Sequence, residues 1–299
     1  MTKYNSCHCR LSSFLINLWV NLLPPSLKLR RVNLLMLVPL LLTSCFEPKK
    51  ACLDIEAANF DASADEDCCC IYPKLKLTVV QNYDTLTYKP DSAYVNDLGQ
   101  QFRIRSIVFY LSDFQLIQNG ATYTVSDTVS LRVFGPNPGD TMSHTFTDDF
   151  LLIRRENISN EVGSFSRTGL FSQVKFRLGL SDDAQDVVPG KAPSGHPLRP
   201  QGDSLWYGRN TGYVFAQIVV ARDTVSSTPS DTLSFTQADL PNYFIAGINV
   251  FHETGYDFNL KLTANVKALF DGVDWSTGDI NDWKMKIRDN FDSVFLVSQ

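Results

Sequence analysis

From Leu75 onward the chain keeps a period of two. Leu75, Leu77 and Val79 alternate with Lys74, Lys76 and Thr78. Only an extended strand places alternate residues on opposite faces, one for a core and one for water. Phe102-Arg103-Ile104-Arg105-Ser106-Ile107 repeats the pattern and runs into Val108-Phe109-Tyr110-Leu111. Further strands are expected at 122–125, 129–133, 174–180, 214–220 and 258–262, and a short helix at 289–295. Asn119-Gly120, Gly135-Pro136-Asn137-Pro138-Gly139, Pro189-Gly190 and Pro193-Ser194-Gly195 supply the turns between them. Many strands with this punctuation and little helical periodicity predict an all-β fold, an antiparallel β-sandwich or barrel. No internal repeat or linker follows Pro73, so residues 74–299 read as one domain.

Composition agrees. The hydrophobic fraction is 44% and the aromatic fraction 12%, enough for a sizeable core. Net charge is −5 and no long basic run follows Arg31, so nucleic acid is not an expected partner.

Ahead of the domain, Lys28, Arg30 and Arg31 precede an apolar run at 32–42 that ends in Leu41-Leu42-Thr43-Ser44-Cys45. Basic, apolar and small residues followed by Cys are the order of a bacterial lipoprotein signal, and the end of the run resembles a lipobox. About 11 apolar residues are too few to cross a bilayer core, which takes roughly 20. Residues 1–44 are therefore expected to be removed and Cys45 to carry lipid. That holds the mature protein on a membrane of the cell envelope, with the outer membrane the expected one. A second apolar stretch at 11–23, broken at Pro24-Pro25, lies ahead of the basic cluster. Either the signal is unusually long or the true start is downstream of Met1.

Beyond Cys45 the remaining cysteines are Cys52, Cys68, Cys69 and Cys70, and none falls in the long remainder of the chain. An even count in an exported segment points to disulfides. Four-thiolate zinc is the alternative, but three consecutive Cys poorly supply three tetrahedral corners. Cys52-Leu53-Asp54, Ala57, Asn59-Phe60-Asp61, Ala64-Asp65-Glu66-Asp67 and Cys70-Ile71-Tyr72 follow one another here. Together they resemble a short acidic repeat of secreted Bacteroidetes proteins. In that repeat the outer cysteines close a small loop, which implies pairing of Cys52 with Cys70. Cys68 and Cys69 stand where the repeat has Gly and Ser. The acidic residues lack the alternating spacing and central Gly of a Ca²⁺ loop, so residues 45–73 read as a lipid-anchored, acidic, disulfide-stapled spacer.

Within the domain, Tyr94-Val95-Asn96-Asp97-Leu98-Gly99-Gln100-Gln101-Phe102 continues into Tyr110-Leu111-Ser112-Asp113-Phe114-Gln115-Leu116. Phe176-Arg177-Leu178-Gly179-Leu180, Gly212-Tyr213-Val214-Phe215 and Asp289-Asn290-Phe291-Asp292-Ser293-Val294-Phe295 follow. This ordered set resembles the landmarks of the MbnP-like family over residues 74 to 299. The resemblance implies an exported β-sandwich, commonly a Bacteroidetes lipoprotein. Some members of the family bind copper, and some are linked with di-haem peroxidases that oxidise a Trp.

The chain departs from the family where members carry M-x-W-x-W before G-Y-x-F. Counting back from Gly212 puts Leu205 at the Met, Tyr207 at the first Trp and Arg209 at the second, with Trp206 between. The family's later His corresponds to His252. Imidazole suits copper, so the resemblance implies a metal site holding His252 with His196 or His144, the His residues left after the signal. Met142 and His144 would share a face if their segment were a strand, although the preceding Gly-Asp-Thr run reads as a loop.

A second reading keeps the sandwich without the metal. Aromatics beside Arg mark binding surfaces, so Trp206, Tyr207 and Arg209 are the candidate contacts for a small molecule or glycan. Tight packing of the segment around them is the plainer alternative. No G-x-S-x-G elbow, H-E-x-x-H helix, P-loop or dinucleotide fingerprint is present. Asp148, Asp149, Asp182, Asp183 and Asp239 could pair as acid and base, but solvated loop carboxylates are common and enzymatic activity is not expected.

Overall fold

A buried stripe runs down the strand Lys74–Tyr83 as the sequence requires: Leu75, Leu77, Val79, Gln81 and Tyr83 point inward and the residues between them outward. The computed structural model describes residues 47–156, 158–199, 205–225, 228–240 and 243–298. The signal and Cys45 lie outside the described residues, and Lys50–Gln299 forms one compact unit.

In chain order the strands are β1 (Lys50–Ala51), β2 (Glu66–Asp67), β3 (Lys74–Tyr83), β4 (Leu86–Thr87), β5 (Ala93–Val95) and β6 (Gln101–Gln118). Next come β7 (Ala121–Tyr123), β8 (Thr128–Phe134), β9 (Thr141–Thr147), β10 (Leu151–Ile153), β11 (Ser159–Ser164) and β12 (Gly169–Leu178). The last are β13 (Ala216–Ala221), β14 (Asp231–Phe235), β15 (Phe244–His252), β16 (Phe258–Asn265) and β17 (Phe295–Ser298). Helices α1 (Val266–Leu269) and α2 (Ile280–Asn290) lie between β16 and β17.

An eight-stranded sheet runs β14-β13-β6-β12-β15, with β5, β7 and β10 also on β6, and a five-stranded sheet runs β11-β3-β16-β17, with β4 on β3. Pairing in both sheets is antiparallel except at the centre of the smaller one, where β3 and β16 run parallel from Leu75↔Phe258 to Asn82↔Asn265. The two sheets face each other across aromatic rings. Phe171 and Phe258 meet at one end, with centroids 5.3 Å apart. In the middle Phe295 packs on Phe109 at 5.7 Å, Phe176 at 5.9 Å and Phe244 at 5.0 Å. At the far end Phe102 meets Phe270 at 4.7 Å and Trp275 at 5.1 Å.

The acidic segment packs in the same unit as the sandwich. Cys52 is bonded to Cys70, and Cys68 to Cys69. Cys52 and Ala57 are buried, the Phe165 N–H donates to Pro73 O at 2.8 Å, and Ser166 Oγ donates to Glu56 Oε2 at 3.0 Å.

The helix expected at 289–295 lies earlier. Asp279 caps it by accepting the Asn281 N–H at 2.8 Å, and the helix ends at Asn290. Only a short 3₁₀ turn, Phe291–Ser293, follows before Phe295 opens β17. Packing of the Phe295 ring on Phe109, Phe176 and Phe244 and pairing of β17 with β16 override helical spacing there.

Phe102 is fully buried among Phe270, Trp275 and Tyr94. Phe102→Ala should therefore lower unfolding free energy by about 3–5 kcal/mol in urea denaturation. A loss below about 1 kcal/mol would mean that this end of the sandwich is not close-packed.

Candidate functional site

The segment between β12 and β13 lies over the outer face of the large sheet, pinned by two tyrosines. Tyr110 on β6 donates to Pro197 O at 3.2 Å, and Tyr213 donates to Leu198 O at 2.7 Å. This fixes the turn that carries His196, which is 8% exposed. Its Nδ1 accepts the Leu198 N–H at 3.1 Å. A nitrogen that accepts carries no proton, so the proton of the neutral ring sits on Nε2. Nε2 faces Asp148 Oδ1 at 3.5 Å.

His252 ends β15 and is 2% exposed. Nδ1 lies 2.7 Å from Arg167 O and Nε2 2.6 Å from Tyr256 O. Both ring nitrogens therefore face carbonyls at hydrogen-bond distance. The ring stacks on Phe258 with centroids 4.9 Å apart.

His144 stands on β9, beside rather than within a core. Its ring packs on Phe146 at 4.4 Å and its Nε2 lies 3.2 Å from Asp183 Oδ2. The segment is a strand that begins at Thr141, after the turn at Gly139 and Asp140, and Met142 and His144 are both exposed on it. Ring contacts run from His144 through Phe146 and Phe150 to His196, whereas His252 belongs to the ring cluster at Phe165 and Phe258.

These residues do not fit the copper centre that the sequence suggested. A metal-bound imidazole normally donates its second N–H to an acceptor. His196 Nδ1 instead accepts, and His252 has a carbonyl at each nitrogen, so neither presents a free lone pair. Among the described residues, the one group of three or more His, Cys, Asp or Glu with converging ligand atoms is Cys52, Asp67 and Cys70. Two of its members are spent in a disulfide.

Trp206, Tyr207 and Arg209 separate into two settings. Trp206 stacks on Phe134 at 6.3 Å, and the Arg209 guanidinium lies 5.0 Å over the same ring and donates to Gly135 O at 2.7 Å. Tyr207 turns toward β13 and β14, accepting from Gln217 Nε2 at 2.9 Å. Trp206 and Arg209 thus pack their segment onto β8, and Tyr207 remains half exposed.

A cleft of about 630 Å³ opens nearby, between the His196 turn, β10 and β11. Asp148, Phe150, Arg154, Ser159, Glu161 and His196 line it. The volume suits a small ligand. Arg154 and Glu161 were not anticipated, because one follows β10 and the other lies on β11, with no shared motif. The acidic residues considered as acid–base pairs are dispersed: Asp182 bonds Arg177, Asp183 meets His144 and Asp239 bonds Lys284.

Asp149 lies behind Asp148 and is fully buried, accepting the Phe114 N–H at 2.8 Å. Burial, helped by the nearby Asp113 charge, pushes its pKa up to about 7. The folded state therefore holds this proton more tightly than the unfolded chain. The stabilisation is complete below the ordinary carboxylate value and is lost as pH rises through about 7. Asp149→Asn keeps an acceptor and removes the titration. It should match the wild type near pH 4 and be more stable by roughly 2–4 kcal/mol at pH 8. Urea midpoints at both values test this, and a difference that does not grow with pH refutes it.

A sequence-family profile described as MbnP matches residues 72–286. No curated protein matches the chain. Among solved structures, MbnP from Methylosinus trichosporium is 13% identical to it, with 67% of this chain and 78% of that one covered at a TM-score of 0.40. Two of the landmarks read from the sequence touch in the fold: Gly179 has φ +115°, and a Cβ there would run into the Phe215 ring. With the family profile spanning most of the sandwich, the chain belongs to the MbnP family.

Proposed function

We propose that this chain is an exported, lipid-anchored MbnP-family domain that acts as a non-catalytic binding protein of the cell envelope. It takes a small polar molecule or glycan fragment in the cleft beside His196 and Asp148, and does not hold copper through His144, His196 and His252. The observation that carries this reading is the closure of His252 between Arg167 O and Tyr256 O at 2.7 and 2.6 Å. The cleft supports it further, with hydrogen-bonding groups and the Phe150 ring together on its walls. Lipid on Cys45 and an outer-membrane address rest on the lipobox-like order of residues 28–45. A partnership with a di-haem peroxidase would need an oxidisable indole at the family positions, where Tyr207 and Arg209 stand.

The test is a copper titration of the full-length protein against chromophoric chelators, for Cu(I) and for Cu(II). The comparison is the His144→Ala/His196→Ala/His252→Gln variant, in which Gln keeps a donor for one of the buried carbonyls. Equal, weak uptake by both proteins is expected. Stoichiometric copper that the variant fails to bind would overturn the proposal.

A further inference from the structure

A second cleft, of about 530 Å³, lies on the outer face of the large sheet. Two cross-strand pairs form its floor, Ser106 with Val219 and Val108 with Gln217, across β6 and β13. The segment that follows β10 supplies a wall with Arg154, Arg155 and Glu156.

A fault in the ladder between β6 and β13 adds another charged group. Val219 pairs with Ser106 but Val220 pairs with Ile104, so Arg105 has no partner on β13. An extra residue of this kind bends the strand and re-aims its side chain. Ile104 and Ile107 on either side are buried, so the bulge leaves two consecutive residues, Arg105 and Ser106, to line the cleft.

The charge here departs from that of the chain. Three guanidiniums and one carboxylate line the cleft, in a protein of net charge −5. The carboxylate belongs to Glu156, which is exposed. Arg105 pairs with Asp91 through Nη1 and donates from Nε to Ser230 Oγ at 3.0 Å, which holds its guanidinium in place with further N–H groups to offer. Arg155 is fixed in a similar way. Its Nε donates to Tyr88 O at 2.8 Å, and its two terminal nitrogens meet no acceptor among the described residues. A guanidinium anchored at one edge presents the other as a forked donor, which carboxylate and phosphate oxygens match.

We propose that this cleft binds a small organic acid, whose carboxylate or phosphate head is held by Arg155 and Arg105 and whose apolar body rests against Val219 and Pro90. A neutral polyol would leave the excess positive charge unanswered, and a cation would be repelled by it. The cleft beside His196 shares only Arg154 with this one, so the inference is independent of the ligand proposed there and of the fate of copper.

Isothermal titration of the full-length protein with benzoate, phenyl phosphate, inorganic phosphate and benzyl alcohol tests it, each blanked against the same detergent buffer. Saturable binding of benzoate or phenyl phosphate is expected, weakening as potassium chloride is raised, and the tighter of the two identifies the head group. Inorganic phosphate lacks the apolar body and benzyl alcohol lacks the charge, so each should bind at least about 10-fold more weakly. Arg105→Gln/Arg155→Gln should weaken the aryl acid at least about 10-fold. Val219→Glu, which sets a carboxylate among the arginines, should do the same, and circular dichroism should be unchanged in both variants. No saturable binding of either aryl acid overturns the proposal. So does benzyl alcohol that binds as tightly as they do, or a pair of variants that keep the wild-type affinity.

Discussion

The ring of Phe295 closes the sandwich. It reaches from the last strand of the small sheet to Phe109, Phe176 and Phe244, which stand on three strands of the large one. Aromatic rings bury large areas and pack best edge-to-face, and these contacts are edge-on, with interplanar angles of 61°, 81° and 83°. One side chain thereby touches three strands of the facing sheet at mid-sandwich, between the ring contacts at either end. β17 then fixes β16 by antiparallel pairing, and β16 fixes β3 by the parallel ladder. Residues at the beginning and end of the domain are locked into one layer, which leaves the long segment between β12 and β13 to cover the outer face.

Much of this was legible because alternation is a strong signal. The stripe at Leu75, Leu77 and Val79 and the run from Phe102 to Leu111 became β3 and β6 in the expected orientation. The pairing of Cys52 with Cys70, implied by resemblance to the acidic repeat, is present. β15 was missed because its outward face carries Ile245 and Phe251 and its middle Ala246 and Gly247, so polar and apolar residues do not alternate along it. Parallel pairing of β3 with β16 was also out of reach, since nothing local in either strand encodes its partner across 183 residues.

The histidines show a different limit. A sequence reports that an imidazole exists, not what its nitrogens meet. His252 was read from the sequence as a ligand, yet both of its ring nitrogens face main-chain carbonyls, at Arg167 and Tyr256. Every residue type offers the same carbonyl, so such a contact leaves no trace in the sequence. His196 is governed likewise by the Leu198 N–H, which dictates the position of its proton. Hydrogen bonds to the backbone decide whether these rings can be ligands, and those bonds become visible only once the loops are placed.

The landmarks that carry the family resemblance serve packing more than ligand chemistry. Gly179 exists as glycine because the Phe215 ring fills the space of a side chain. Tyr110 and Tyr213 meet edge-on at 6.0 Å and direct their hydroxyls to Pro197 and Leu198, holding the covering segment down. Phe291 and Phe295 close the large sheet from the far layer. The ordered set therefore speaks for the scaffold and not for a site, since one set of residues builds the fold and another furnishes the chemistry. In the segment ahead of Gly212, Leu205 is buried core and Arg209 a clasp on Phe134. Both lie beside Tyr213 and Phe215, which hold the covering segment and the sheet in the same way. Family membership thus transfers the sandwich, and the cleft beside His196 has to be judged by its own walls.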